Sequence, residues 1–255
     1  MAAMRSIDLN ADLGEGFGPW SMGDDAAMLA LVSSANVACG GHASDPETMF
    51  RTMRLARERG VVVGAHPSYP DLPGFGRRRL PATPAEIERF VAAQVGALIA
   101  IGALADHPVS YVKPHGALAN VAAAEAEVAA AIARAVAAVD RELAVLAISG
   151  TALEQAARAA GLRVFSEVFA DRGYTPAGDL VPRSMPGAVI HDADEAAARL
   201  ARFLETGEMA TMEGGTVRLD VDSICVHGDN PAAVAMAGRV RDVLMARGIT
   251  IAPFV

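Results

Sequence analysis

A chain of 255 residues, 52% hydrophobic and 20% charged, is long enough for one β/α barrel and too apolar to stay disordered. Its formal net charge of -8, with no basic stripe beyond Arg77, Arg78 and Arg79, argues against nucleic acid as a partner. The start MAAMRSID lacks the charged, apolar and cleavage-site series of a signal peptide, and both cysteines sit in apolar runs. Alanine-rich stretches such as 122–138 carry Glu125, Glu127 and Arg134, so they read as helices of a cytoplasmic, reduced chain with no membrane partner.

In chain order, short apolar and often β-branched runs at 6–10, 34–39, 61–65, 109–113, 143–148, 163–168 and 223–226 predict seven strands. A weaker eighth run lies at 249–252, and 213–222 reads as a hairpin ahead of the seventh strand. Helical patterns fill the intervals. Asp45 and Pro46 open the first long one and Gly60 stops it, while Thr83, Pro84 and Glu86 form a capping box before Ile87, Val91, Val95 and Leu98. Thr151 with Glu154, and Asp192 with Glu195, repeat that signature, and Asn230 with Pro231 opens the last helix. Near-continuous apolar strands alternating evenly with amphipathic helices predict a parallel sheet closed into a barrel. No Gly, Ser or Pro linker divides the chain, so residues 1–255 read as one domain.

The polar residues gather just after the strands. DLNADLGEGFG, ACGGHASD, GAHPSYPDLPGFGRR, KPHGALAN, EVFADRGY and VHGDNP occupy equivalent places, and in a β/α barrel those places share the C-terminal rim where active sites form. His42, His66, His115 and His227 each stand there, with Asp8, Asp12, Glu15, Lys113, Glu167, Asp171, Arg172 and Asp229. Imidazole with carboxylate suits a divalent metal with an open position, and equally a metal-free acid/base site. No HExxH or CxxC spacing decides between them. GEGFG is not a dinucleotide fingerprint and no phosphate-binding GxxxxGK[ST] exists, so Gly14, Gly16 and Gly18 read as a tight loop carrying Glu15 toward a ligand. Cys39 and Cys225 read as buried strand residues and not nucleophiles, and Trp20 as a pocket wall or a rim cover.

Lys113 is the only lysine, against 21 arginines. A compact ammonium of tunable basicity differs from a fixed guanidinium fork, which makes its place at a strand end a candidate for chemistry.

The rim segments DLNADLGEGFG, SANVACGGHASDP, GVVVGAHPSYPDLPGFGRR, VKPHGAL, EVFADRGY and ICVHGDN, in this order, resemble the LamB/YcsF family. One departure is Ala119, where that resemblance implies an aromatic residue. The resemblance implies a distorted, TIM-like seven-stranded β/α barrel similar to the glycoside hydrolase/deacetylase class. It also implies that the chain serves as the A component, beside partner subunits B and C, of an ATP-dependent 5-oxoprolinase that opens the lactam 5-oxo-L-proline to L-glutamate.

For that chemistry the expected catalytic set is Asp12, Glu15, His66, Lys113, His115, Glu167, Arg172 and His227, with Asn10, His42, Tyr69, Arg77 and Asp229 toward substrate. ATP is the expected cofactor, with magnesium or a rim-bound divalent ion for which Asp12, His42 and His66 are candidate ligands. Lys113→Met is expected to abolish turnover while leaving the fold intact. A metal-dependent amide or acetyl hydrolase without ATP, and a 5-oxoproline-binding subunit without chemistry of its own, are the alternatives, and a homo-oligomer is allowed.

Overall fold

A computed structural model describes residues 6–228 and 230–255. Strands β1 (Ser6–Leu13), β2 (Ser34–Ala38), β3 (Val62–His66), β4 (Val109–Val112), β5 (Ala144–Ile148) and β6 (Val164–Phe169) pair in parallel, each with the next. After a short antiparallel hairpin, β7 (Glu208–Ala210) with β8 (Thr216–Arg218), strand β9 (Ser223–Val226) pairs with both β6 and β1. That double pairing closes a seven-stranded barrel. The hairpin begins earlier than its sequence reading, at Glu208, and turns at Gly214 and Gly215, both with positive φ. The eighth run yields only β10 (Thr250–Ile251), which pairs with Ser6 and Ile7 at the start of β1 and is no stave of the barrel.

Helices α1 (Asp25–Leu29), α2 (Pro46–Arg59), α3 (Pro84–Leu104), α4 (Gly116–Ala124), α5 (Ala126–Val139), α6 (Ala152–Ala159), α7 (Ala193–Thr206) and α8 (Pro231–Ala246) lie between the strands. Asp45 caps α2 through the amides of Glu47 and Thr48, Gly60 ends it in the left-handed region, and Thr83 with Glu86 forms a true capping box on α3. Thr151 departs from its expected capping role: its hydroxyl donates to the Ile148 carbonyl, and Glu154 turns to the Gly150 amide, Ser166 and Arg158 instead. Among the described residues α3 alone has the length and mean hydropathy, 21 residues and 1.6, of a membrane span. Its Ile87, Val91, Val95 and Leu98 nevertheless bury one helical face, and each such side chain contributes about 1.5–3 kcal/mol when removed from water.

The sequence reading expected strands apolar on both faces, and the structure corrects this. In β1, Ile7, Leu9, Ala11 and Leu13 join the hydrophobic layer between sheet and helices. Asp8 and Asn10 point the other way, into the barrel, where Ser34, Asn36, Glu167 and Ser223 bond to them. Period-two alternation here separates an apolar outside from a polar inside. Lower down, the fully buried Tyr111 lies across the interior, its hydroxyl donating to Asn36 Oδ1 at 2.7 Å. Phe254 packs edge-on against Tyr111 and at a tilt against Phe165, with ring centroids 4.9 and 4.8 Å apart. Gly64 makes room for this: a Cβ there would stand 2.2 Å from the Tyr111 ring.

Candidate functional site

Lys113 ends its run at the centre of the polar interior. Its ammonium lies 2.9 Å from Glu167 Oε1, 3.0 Å from Asp12 Oδ1, 3.1 Å from Asn10 Oδ1 and 3.2 Å from Cys225 Sγ. An ammonium has three protons, and three oxygen acceptors of the protein take them. Burial would pull Lys113 down, but Asp12 and Glu167 outweigh it and hold the group well above its usual range. Asp12 is the mirror case: burial pushes it up, and His66 with Lys113 brings it well below the usual carboxylate range. The single lysine is thus a buried hub tying β1 to β6, and its replacement by methionine would leave Asp12 and Glu167 without their shared counter-charge.

Above the hub, the strand ends of β1 to β4 bring Glu15, His42, His66 and His115 together, with one ligand atom of each within 4.8 Å of all the others. His66 Nδ1 is 2.6 Å from the Lys113 carbonyl and His115 Nε2 is 3.0 Å from the Phe75 carbonyl. A carbonyl only accepts, so both of those nitrogens carry hydrogen. The remaining nitrogens, His66 Nε2 and His115 Nδ1, then face each other at 3.0 Å with lone pairs, unless a proton or a cation lies between them. Asp12 Oδ2 at 3.2 Å from His66 Nε2 and Glu15 Oε1 at 3.7 Å from His115 Nδ1 add negative charge to the same spot. The cluster is short of one positive charge.

Burial and then Asp12 push Glu15 up to about 8, while burial and then His66 hold His42 well below the imidazole range. His42 Nε2 is 3.0 Å from Glu15 Oε1, its ring stacks on His115 at 3.7 Å, and its Nδ1 is buried with no partner among the described residues. Three imidazoles, a carboxylate and an orphaned buried nitrogen fit a divalent ion such as zinc.

The opposite arc of the rim, from β6 and β9, carries a different device. His227 Nδ1 is 2.8 Å from Asp171 Oδ2, and Arg183 Nη2 is 3.2 Å from His227 Nε2. Burial lowers His227, but Asp171 raises it more, so it sits above its ordinary value. A proton on Nε2 therefore competes with the bond from Arg183. Arg172 is buried and gives two of its five N–H donors to the carbonyls of Val181 (2.5 Å) and Ala188 (3.3 Å), so it staples the loop after β6.

Between the arcs lies a cavity of about 550 Å³. Asp12, Glu15, His66, Arg77, Lys113, His115, Glu167, Arg172 and His227 of the expected set are in its wall. Asn10 lies below, fully buried, and His42 stands behind His115. Tyr69 is corrected as a substrate contact: it is 1% exposed and packs on Phe90. Asp229 lies outside the described residues. Of the metal candidates, His42 and His66 belong to the four-ligand cluster, whereas Asp12 is bound to Lys113 and Asn36 on one oxygen, and Glu15 and His115 complete the set. Ala119 lines the wall beside Asn120. Trp20 is 71% exposed and outside it. Cys39 and Cys225 are buried free thiols, Cys39 pushed up by burial to about 12. Asn36 and Arg183 were absent from the expected set: the alternation in SANVA marks Asn36 as inward, while Arg183 sits in a loop with no periodic signal.

Fold and site together define a closed parallel β/α barrel whose mouth pairs an imidazole–carboxylate cluster with a buried ammonium. Residues 7–255 match the LamB/YcsF family, and the chain belongs to it. A protein of Azorhizobium caulinodans, named as the A subunit of 5-oxoprolinase, is 55% identical over 251 residues, covering 98% of this chain and 99% of that protein. One of the same name from Gluconobacter oxydans is 53% identical over 247 residues, covering 97% of each. The crystal structure of the lactam utilization protein from Thermus thermophilus superposes with a TM-score of 0.92 at 44% identity, covering 97% of this chain and 99% of that one.

Proposed function

We propose that the chain is the A subunit of a 5-oxoprolinase and takes part in opening 5-oxo-L-proline to L-glutamate. The observation that carries this reading is end-to-end similarity, at 55% identity, to a protein of that name, joined to a cavity whose walls hold proton donors and acceptors on both sides. In the same reading the chain works in the cytoplasm with subunits B and C, and ATP with magnesium drives the assembly. Coupling is needed because amide resonance resists attack and free glutamate recyclises.

In net terms water adds to the lactam carbon, the C–N bond breaks, and one proton passes from the water to the ring nitrogen. The residues divide that work. Asp12, held far below the usual range, is too weak a base to deprotonate water by itself; its Oδ2 instead steadies charge on His66. Glu15, up to about 8 without a cation, is protonated near neutrality and is suited to give a proton to the leaving nitrogen. His227, oriented by Asp171, is the acceptor on the other wall. Lys113 acts through its charge and by fixing Asp12, because its protons are already used. A divalent ion held by Glu15, His42, His66 and His115 would supply Lewis acidity toward the lactam oxygen or water, and Glu15, then an ionised ligand, would no longer be the proton donor.

The test is glutamate release from 5-oxo-L-proline by the chain alone and with its partner subunits, with and without ATP, before and after chelation. Release only in the complete, ATP-supplied assembly supports the subunit reading. ATP-independent deacylation by the isolated chain, abolished by chelation, would replace it with a metal hydrolase.

A further inference from the structure

Four cationic side chains line the cavity: Arg77, Lys113, Arg172 and Arg183. Lys113 is neutralised by Asp12 and Glu167, and Arg172 is 6% exposed and held to the Val181 and Ala188 carbonyls by two of its five N–H groups. Arg77 lies with its guanidinium 5.0 Å over the Phe75 ring, on the side of Glu15. Arg183 remains. Among the described residues no carboxylate lies within 4 Å of its guanidinium, and its one described partner is a neutral acceptor, His227 Nε2, at 3.2 Å.

That contact fixes a tautomer. A guanidinium only donates, so His227 Nε2 offers its lone pair and Nδ1 carries the hydrogen given to Asp171. The nitrogen that faces the cavity is therefore covered. A planar fork bonds a carboxylate bidentately and with charge assistance, far better than it bonds a neutral imidazole. An arriving carboxylate would thus draw Arg183 off and uncover His227. The loop also holds an anchor: Arg172 bonds the carbonyl of Val181, two residues before Arg183.

Resting on the functional reading above, we infer that Arg183 recognises the carboxylate of the lactam substrate and, in doing so, releases Nε2 of His227 to take part in proton transfer. Arg183 is then both the specificity residue and the gate, and a lactam without a carboxylate leaves the gate closed.

The experiment compares 5-oxo-L-proline with 2-pyrrolidinone, the same ring lacking the carboxylate, in the complete ATP-supplied assembly. The ratio of kcat/KM for the two is expected to fall roughly 10- to 100-fold in Arg183→Met and less in Arg183→Lys, which keeps the charge but not the fork. A wild-type assembly that is active on 5-oxo-L-proline but whose ratio is unmoved by Arg183→Met overturns the assignment. A wild-type assembly that releases no glutamate overturns the functional reading instead. In the isolated chain, the ¹⁵N resonance of His227 Nε2 is expected to shift on adding 5-oxo-L-proline, not on adding 2-pyrrolidinone, and to be displaced beforehand in Arg183→Met. Equal response to both lactams overturns the gate.

Discussion

The two arcs of the rim face the same cavity with opposite electrostatic defects. On the β1 to β4 side, two imidazole lone pairs and two carboxylates converge on a place that lacks one positive charge. On the β6 to β9 side, a guanidinium rests on an imidazole already bonded to its carboxylate, so a positive charge is waiting for an anion. The contrast teaches that a rim rich in histidine is not one site but two, and that which wall takes a cation and which an anion is set by where each ring sends its other nitrogen. Lys113 is the tie between them, bonded to Asp12 on one arc and Glu167 on the other.

Cutting that tie is expected to have the largest effect. Lys113→Met leaves two buried carboxylates without a counter-charge and should cost about 3–5 kcal/mol in urea unfolding; an unchanged midpoint would show that the hub is not structural. Next comes the cation. With zinc at a hundredfold over its Kd, the chelated chain should gain about 2.7 kcal/mol of stability. His115→Ala should lose that gain while His227→Ala keeps it, and calorimetry showing equal loss would dissolve the distinction between the arcs.

A pH titration sharpens the comparison further. In the metal-free fold Glu15 keeps its proton up to about 8, against 4.5 as the ordinary value. The native state therefore binds more protons than the unfolded chain across that window, and stability should fall as pH rises through it. Asp8, raised to about 6 by burial, adds a slope of the same sign in the lower part. Melting curves of Glu15→Gln should be flatter between pH 6 and about 8; an identical slope would place the proton elsewhere. On the other arc, Asp171→Asn should lower kcat of the assembly by roughly 100-fold by disturbing the His227 tautomer, with little change in zinc binding. The smallest effect belongs to Arg172→Lys, about 1 kcal/mol from weaker bonds to Val181 and Ala188, visible as a lower melting temperature.

Much of this was legible in the sequence. Strand ends carrying histidine at equivalent places located the mouth, and the caps Asp45 and Thr83 set helix starts because their side chains bond the first amides directly. The barrel interior was harder. SIDLNADL and SANVA alternate, which ordinarily marks one wet face, and only closure of the sheet turns that face into a buried network. Lys113 stood out as the only lysine, yet its partners come from 101 and 103 residues earlier in the chain, distances at which local pattern carries no information. Tyr69, expected toward substrate, is 1% exposed and packs on Phe90 of α3, a contact that its loop segment does not announce.

Gly64 has a further consequence. By leaving room for the Tyr111 ring, with Phe254 edge-on against it, this one missing methyl group lets aromatic side chains fill the barrel below the hub. The ammonium hub thus stands between an aromatic floor and the cavity that Lys113 itself lines, so whatever fills that cavity rests directly on the buried charge network.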